Sequence, residues 1–194
     1  MTRRRGFFWL AVALIVTMPV LAATFSPLLA WRDPVYIAAG LAGIIALALM
    51  FLQPVMVGAY DTLGLERARA RLLHRAIGVT VVAAVLLHVA GLWITSPPDV
   101  IDVLLFRSPT PFGVWGALAL WAVLGAALVA AGRRRLRWSP RRWRYTHATL
   151  AAITVVATVL HTVLIEGTME TTTKIVLCGA LIAASGAAFW RMKR

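Results

Sequence analysis

Apolar residues gather into six runs, at 7–30, 35–57, 74–94, 112–131, 146–165 and 175–190, separated by short polar segments. A helix crosses a hydrocarbon core with about 20 mainly apolar residues. The pattern therefore predicts an all-α membrane protein, six transmembrane helices in a bundle, forming a single domain over 1–194. Breakers fall where the runs change. Pro54 suits a kink or stop near the end of the second run, and Ser96, Pro97 and Pro98 end the third. Gly40 and Gly43 suit close helix approach. A short surface helix around 101–106 has too few apolar residues to cross. The first run has a competing reading as a secretory signal, with a basic start and small residues at 20–23. It is longer than a usual signal core, which favours a retained first helix.

Composition agrees: 61% of residues are apolar, 14% are charged and the mean hydropathy is +0.83, which excludes a soluble domain. The net charge of +13 raises nucleic acid as a partner, but its distribution argues for topology instead. Seventeen Lys and Arg lie at the N-terminus, after runs two and four, and at the C-terminus; the other three loops hold only Arg32, Arg107 and Lys174. By the positive-inside rule both termini are cytoplasmic, and the third and fifth spans both enter from the cytoplasm and run parallel. Reporter fusions after Arg69 and Arg137 should read as cytoplasmic, and fusions after Asp99 and Thr171 as external. A cytoplasmic signal at Asp99 would overturn the parallel arrangement. The single cysteine, Cys178, excludes an internal disulfide and any centre built from several thiolates.

The four histidines change the picture most. His74 and His88 lie on the third run and His147 and His161 on the fifth, 14 positions apart in both cases. On a helix that interval turns about 1400°, some 40° short of four turns, so both rings of a run lie near one face, about 21 Å apart along the axis. Parallel spans then pair His74 with His147 at the inner level and His88 with His161 at the outer. Intramembrane ionisable groups are functional candidates by default. Any one of these could be a helix–helix hydrogen bond, but four of four at matched levels argue against that. A zinc site lacks thiolates or carboxylates to complete its tetrahedral set. A proton relay lacks intramembrane acids, since Asp61, Glu66, Asp99, Asp102, Glu166 and Glu170 all fall in loops. Heme needs two axial ligands, and neutral imidazole suits iron. Two bis-histidine b-type hemes, bound without the C-x-x-C-H of covalent attachment, are the economical reading.

Other residues fit less specifically. Gly78, Ala83, Ala84, Ala90 and Gly91, with Ala151, Ala152 and Ala157, leave room for a flat macrocycle or serve ordinary small-residue packing. Arg71, Arg75, Arg142 and Arg144 lie within a turn or so of the inner histidines and suit heme propionates, while also meeting the positive-inside rule. Trp93, Trp115, Trp121, Trp138 and Trp143 read as interface anchors rather than electron-relay groups. The basic segment 132–144 suits an acidic partner or is simply a solvated face.

Paired histidines on spans three and five, with HRAIG ahead of LLHV and WRYTH ahead of VLH, resemble the ferric reductase-like transmembrane domain, the heme-bearing part of ferric reductases and NADPH oxidases. It also occurs in the heme-binding membrane subunit of the bacterial methionine sulfoxide reductase system. The resemblance covers essentially the whole chain and implies that His74, His88, His147 and His161 are the axial ligands of heme iron. Relatives of the first kind continue into a flavin and nicotinamide domain. No G-x-G-x-x-G in a strand–turn–helix setting occurs here, so the expected electron donor is a separate flavin reductase or membrane quinol. The expectation is a diheme oxidoreductase subunit of the bacterial inner membrane, carrying electrons to an external acceptor. Delivery to a periplasmic methionine sulfoxide reductase is the alternative, and a heme-free scaffold or transporter is the alternative from another class.

Overall fold

The structure, a computed structural model, describes residues 3–193. Seven α-helices follow one another: α1 (Arg3–Thr24), α2 (Pro34–Gly58), α3 (Arg67–Thr95), α4 (Pro97–Leu104), α5 (Pro111–Ala131), α6 (Pro140–Leu164) and α7 (Thr171–Lys193). All but the short α4 are long and apolar enough to cross a membrane. The protein is thus an all-helical integral membrane protein with six candidate spans.

Helix starts are set by a simple local chemistry. α2, α4, α5 and α6 each begin with proline, preceded by Asp33, Ser96, Thr110 and Ser139 respectively. Proline at the first helical position loses no needed N–H and already has a helical φ. The preceding side chain caps where it can. Asp33 Oδ1 accepts the Val35 and Tyr36 N–H groups at 2.7 and 3.3 Å, and Ser139 Oγ accepts the Arg142 N–H at 3.3 Å. Three boundaries differ from the apolar runs for such reasons. α1 stops at Thr24 rather than near residue 30, because Ser26 stands before Pro27 in an extended conformation and caps a 3-10 turn, Pro27–Leu29. α6 starts six residues earlier than its apolar run, at the Ser139 cap. α3 starts seven residues early, because Arg67–Leu73 contains only good helix formers and the Ala70 N–H already bonds the Glu66 carbonyl at 2.9 Å. The surface helix α4 lies slightly earlier than 101–106.

The chain divides into two compact units. In the first, residues 1–95 with 166–194, α2 is central and packs against α1, α3 and α7. Its buried stripe includes Ala39, Ile44, Leu47, Phe51 and Val55, and α7 contributes Leu177 and Leu181, both wholly buried. In hydrocarbon, burial of apolar surface does not drive helices together, so close packing must. A Cβ added at Gly58 would lie 3.1 Å from the Ala188 backbone, and one at Gly40 would lie 2.8 Å from Thr168 Oγ1. α1 is part of this unit: Val12, Pro19 and Ala23 are buried, and Trp9 Nε1–H donates to the Leu63 carbonyl at 3.1 Å. In the second unit, residues 96–165, α5 packs against α6 and α4.

One ion pair ties the α2–α3 loop to the end of α7. Arg191 Nη1 lies 3.0 Å from Asp61 Oδ1, with the two side chains 49% and 56% exposed. The guanidinium, by direct hydrogen bond, holds the Asp61 carboxyl below its ordinary value of 3.8. A depressed carboxyl contributes stability above its unfolded pKa, and that contribution disappears as pH falls through the folded value. An exposed pair contributes at most about 1 kcal/mol. Arg191→Ala should therefore lower thermal stability slightly at neutral pH, and the difference from the unmodified protein should vanish in acid. A difference that persists at low pH would mean that Arg191 acts by packing.

Candidate functional site

Each of the four histidines bonds a main-chain carbonyl of the helix packed against its own. His88 Nδ1 lies 2.7 Å from the Ala39 carbonyl oxygen and His74 Nδ1 3.3 Å from that of Gln53, both on α2. In the other unit, His161 Nδ1 lies 2.9 Å from the Phe112 oxygen and His147 Nδ1 3.2 Å from that of Ala126, both on α5. A carbonyl oxygen only accepts, so each Nδ1 carries a proton, and in the neutral form of the ring the lone pair is then on Nε2. All four rings are partly buried.

The two hairpins are one motif used twice. Adding 73 to Ala39, Gln53, His74 and His88 gives Phe112, Ala126, His147 and His161, so both donor and acceptor positions coincide. The seams match as well. Val81 and Ala84 are buried in α3, and their counterparts Thr154 and Ala157 are buried in α6. Gly40 and Gly43 fall on Gly113 and Gly116. This repeat escapes a reading based on apolar runs alone. Its clearest signal lies in Gly40, Gly43, His74 and His88, each met again as the same residue 73 positions on.

The paired glycines have a definite job. In an α-helix the residue four places on points its N–H at a given carbonyl; for the Ala39 and Phe112 carbonyls those residues are Gly43 and Gly116. A Cβ at Gly43 would sit 2.9 Å from His88 Nδ1, and one at Gly116 would sit 2.8 Å from His161 Nδ1. The missing side chains let the His88 and His161 imidazoles reach the backbone. For His74 and His147 the corresponding places hold Val57 and Ala130, and the bonds are longer, 3.3 and 3.2 Å.

His74 and His147 have further neighbours of their own. The Gln53 side-chain amide donates to the His74 carbonyl at 3.2 Å. Trp143, expected as an interface anchor, stacks on His147 with ring centroids 5.4 Å apart and planes 4° from parallel. Phe112, whose carbonyl serves His161, also meets that ring edge-on at 6.0 Å. Of the small residues, Ala84, Ala157, Gly78 and Gly91 serve the hairpins: Ala84 and Ala157 are buried, and a Cβ at Gly91 would be 2.7 Å from Ala39 Cβ and one at Gly78 3.7 Å from the Gln53 amide. Ala83 and Ala90 are exposed, and Ala151 and Ala152 are partly buried. Among the arginines, Arg142 lies 4.8 Å over the Trp138 ring and Arg71 Nε contacts the Arg67 carbonyl at 3.4 Å; Arg75 and Arg144 are exposed.

Against known families, residues 39–158 match the model for the ferric reductase like transmembrane component. The matched range runs from the first acceptor residue, Ala39, through His74, His88 and His147, and ends three residues before His161. No curated protein and no solved structure matches the chain. With six candidate spans and more than half of its length matched, the chain belongs to the ferric reductase like transmembrane component family.

Proposed function

We propose that this chain is a diheme b-type cytochrome subunit carrying electrons across the membrane, with His74 and His147 as ligands of an inner heme and His88 and His161 of an outer one. The observation that carries the reading is the fourfold use of one ligand geometry, Nδ1–H to a backbone carbonyl. That bond fixes the tautomer and the ring orientation and raises the basicity of Nε2, as partners of metal-bound histidine do. Four neutral imidazoles at two levels suit two six-coordinate hemes, each taking two ligands. The heme iron, when bound, supplies a reversible one-electron couple. The chain's own residues hold and orient the ligands and keep water away with apolar spans.

The donor in this reading is a flavin reductase or quinol reached from the cytoplasmic side, where the charge distribution puts the basic segments, and the acceptor is external, of the ferric chelate kind. Purified protein should show a reduced-minus-oxidised spectrum of a b-type cytochrome, with about two non-covalent hemes per chain by pyridine hemochrome. Folded but colourless protein from heme-replete cells would sink the reading and favour a scaffold or transporter.

A further inference from the structure

We propose that Trp143 is a positioning residue for the inner ligand His147, and that through it Arg133 sets the electrostatic environment of that ligand. This inference rests on the heme reading above. The hydrogen bond from His147 Nδ1, at 3.2 Å, is near the long end of the range and sets the position of one ring atom rather than the ring plane. The near-parallel Trp143 indole lies against that plane and orients it. Trp143 is itself fixed, because its Nε1–H donates to the Val129 carbonyl at 2.9 Å. Val129 follows Ala126 by about one turn on α5, and Trp143 precedes His147 by about one turn on α6. The two rings therefore hang on neighbouring carbonyls of the same helix and stack as a ladder.

The Arg133 guanidinium completes the stack, lying 4.5 Å from the Trp143 ring centroid, well within cation–π range. It comes from the 3-10 turn Gly132–Arg134 at the end of α5, in the most basic segment of the chain. A fixed cation near an iron ligand favours the less positive, reduced metal. The other hairpin lacks this device. The counterpart of Trp143 under the 73-residue offset is Ala70, whose side chain is buried, and the Gln53 amide bonds the main-chain carbonyl of His74, not its ring. The stack is therefore not a requirement of the hairpin fold, and the surroundings of His74 and His147 differ.

The test is an optical redox titration and low-spin EPR of purified protein, with the inner heme identified as the one lost in His147→Ala. Arg133→Gln should lower the potential of that heme and leave the other in place. Trp143→Leu should lower it too and change its EPR signal shape, which follows the relative angle of the ligand planes, whereas Trp143→Phe keeps a ring on His147 and should largely restore both. In the Trp143→Leu background, Arg133→Gln should add little, because the platform for the guanidinium is already gone. If Trp143→Leu costs the inner heme altogether, retention by Trp143→Phe supports the positioning role, and Arg133→Gln, which keeps the indole, still reports the charge effect. The proposal is overturned if Trp143→Leu leaves signal shape and potential unmoved, or if Arg133→Gln shifts the potential equally with and without the indole. Absence of heme from the unmodified protein is a separate result, which removes the underlying reading before these variants are compared.

Discussion

In the diheme proposal, alanine at His88 and alanine at His161 each remove the same heme, and alanine at His74 or His147 removes the other. The expectation joins two independent arguments. The 14-residue interval sets two histidine levels on each helix, and the positive-inside rule expects α3 and α6 to enter from the same side, so the proposal pairs like levels. Each substitution also deletes a hydrogen bond to a carbonyl, worth about 1 kcal/mol net. That loss is too small to unfold a six-span protein, so a missing heme will report ligation and not collapse. The measurement is heme content per chain together with the reduced α-band of each variant. Loss of one common spectral species in His74→Ala and His161→Ala, with the other species spared, would show that the levels pair crosswise.

The placement of the four histidines, two on α3 and two on α6, was legible in the sequence, because a 14-residue interval is a geometric statement that survives small errors in helix ends. The ends themselves were less legible. Hydropathy registers where the bilayer stops and not where the helix stops, and the basic first turns of α3 and α6 continue into water as helix. The Asp, Ser or Thr before proline at 33, 96, 110 and 139 marked four helix starts more sharply than hydropathy did. The acceptors of the four imidazoles could not be named from residue type, since every residue carries a carbonyl. They were nonetheless encoded one step away, in Gly43 and Gly116, which had been read only as general close-approach positions or passed over. Trp143 shows a related limit. A tryptophan at a helix end serves as an interface anchor by default, and although the four-residue spacing puts Trp143 and His147 on one face of α6, residue type alone does not say that the two rings stack, as they do.

Gly43→Ala and Gly116→Ala should impair the outer heme site nearly as much as losing a ligand, although both substitutions improve the helix itself. Alanine in a helix interior is favoured over glycine by about 1 kcal/mol, so a simple propensity argument predicts stabilisation. Here the added Cβ would meet three atoms of the His88 ring at 2.9, 3.1 and 3.4 Å, or three of the His161 ring at 2.8, 3.0 and 3.6 Å. Those distances cannot be kept, and a stiff imidazole must move as a body. Moving it lengthens the bonds of 2.7 and 2.9 Å to Ala39 and Phe112, which orient the ring. Loss of such an outer partner typically costs about 10–100-fold in metal affinity, and outer-heme retention should fall on that order in each variant. Gly78→Ala is the control, because its Cβ would find only the Gln53 amide at 3.7 Å, an ordinary contact. That variant should keep both hemes and unfold at the same or a slightly higher temperature. Full heme retention in both Gly43→Ala and Gly116→Ala, with unchanged outer-heme spectra, would show that the imidazoles are not held by these carbonyls in the working protein.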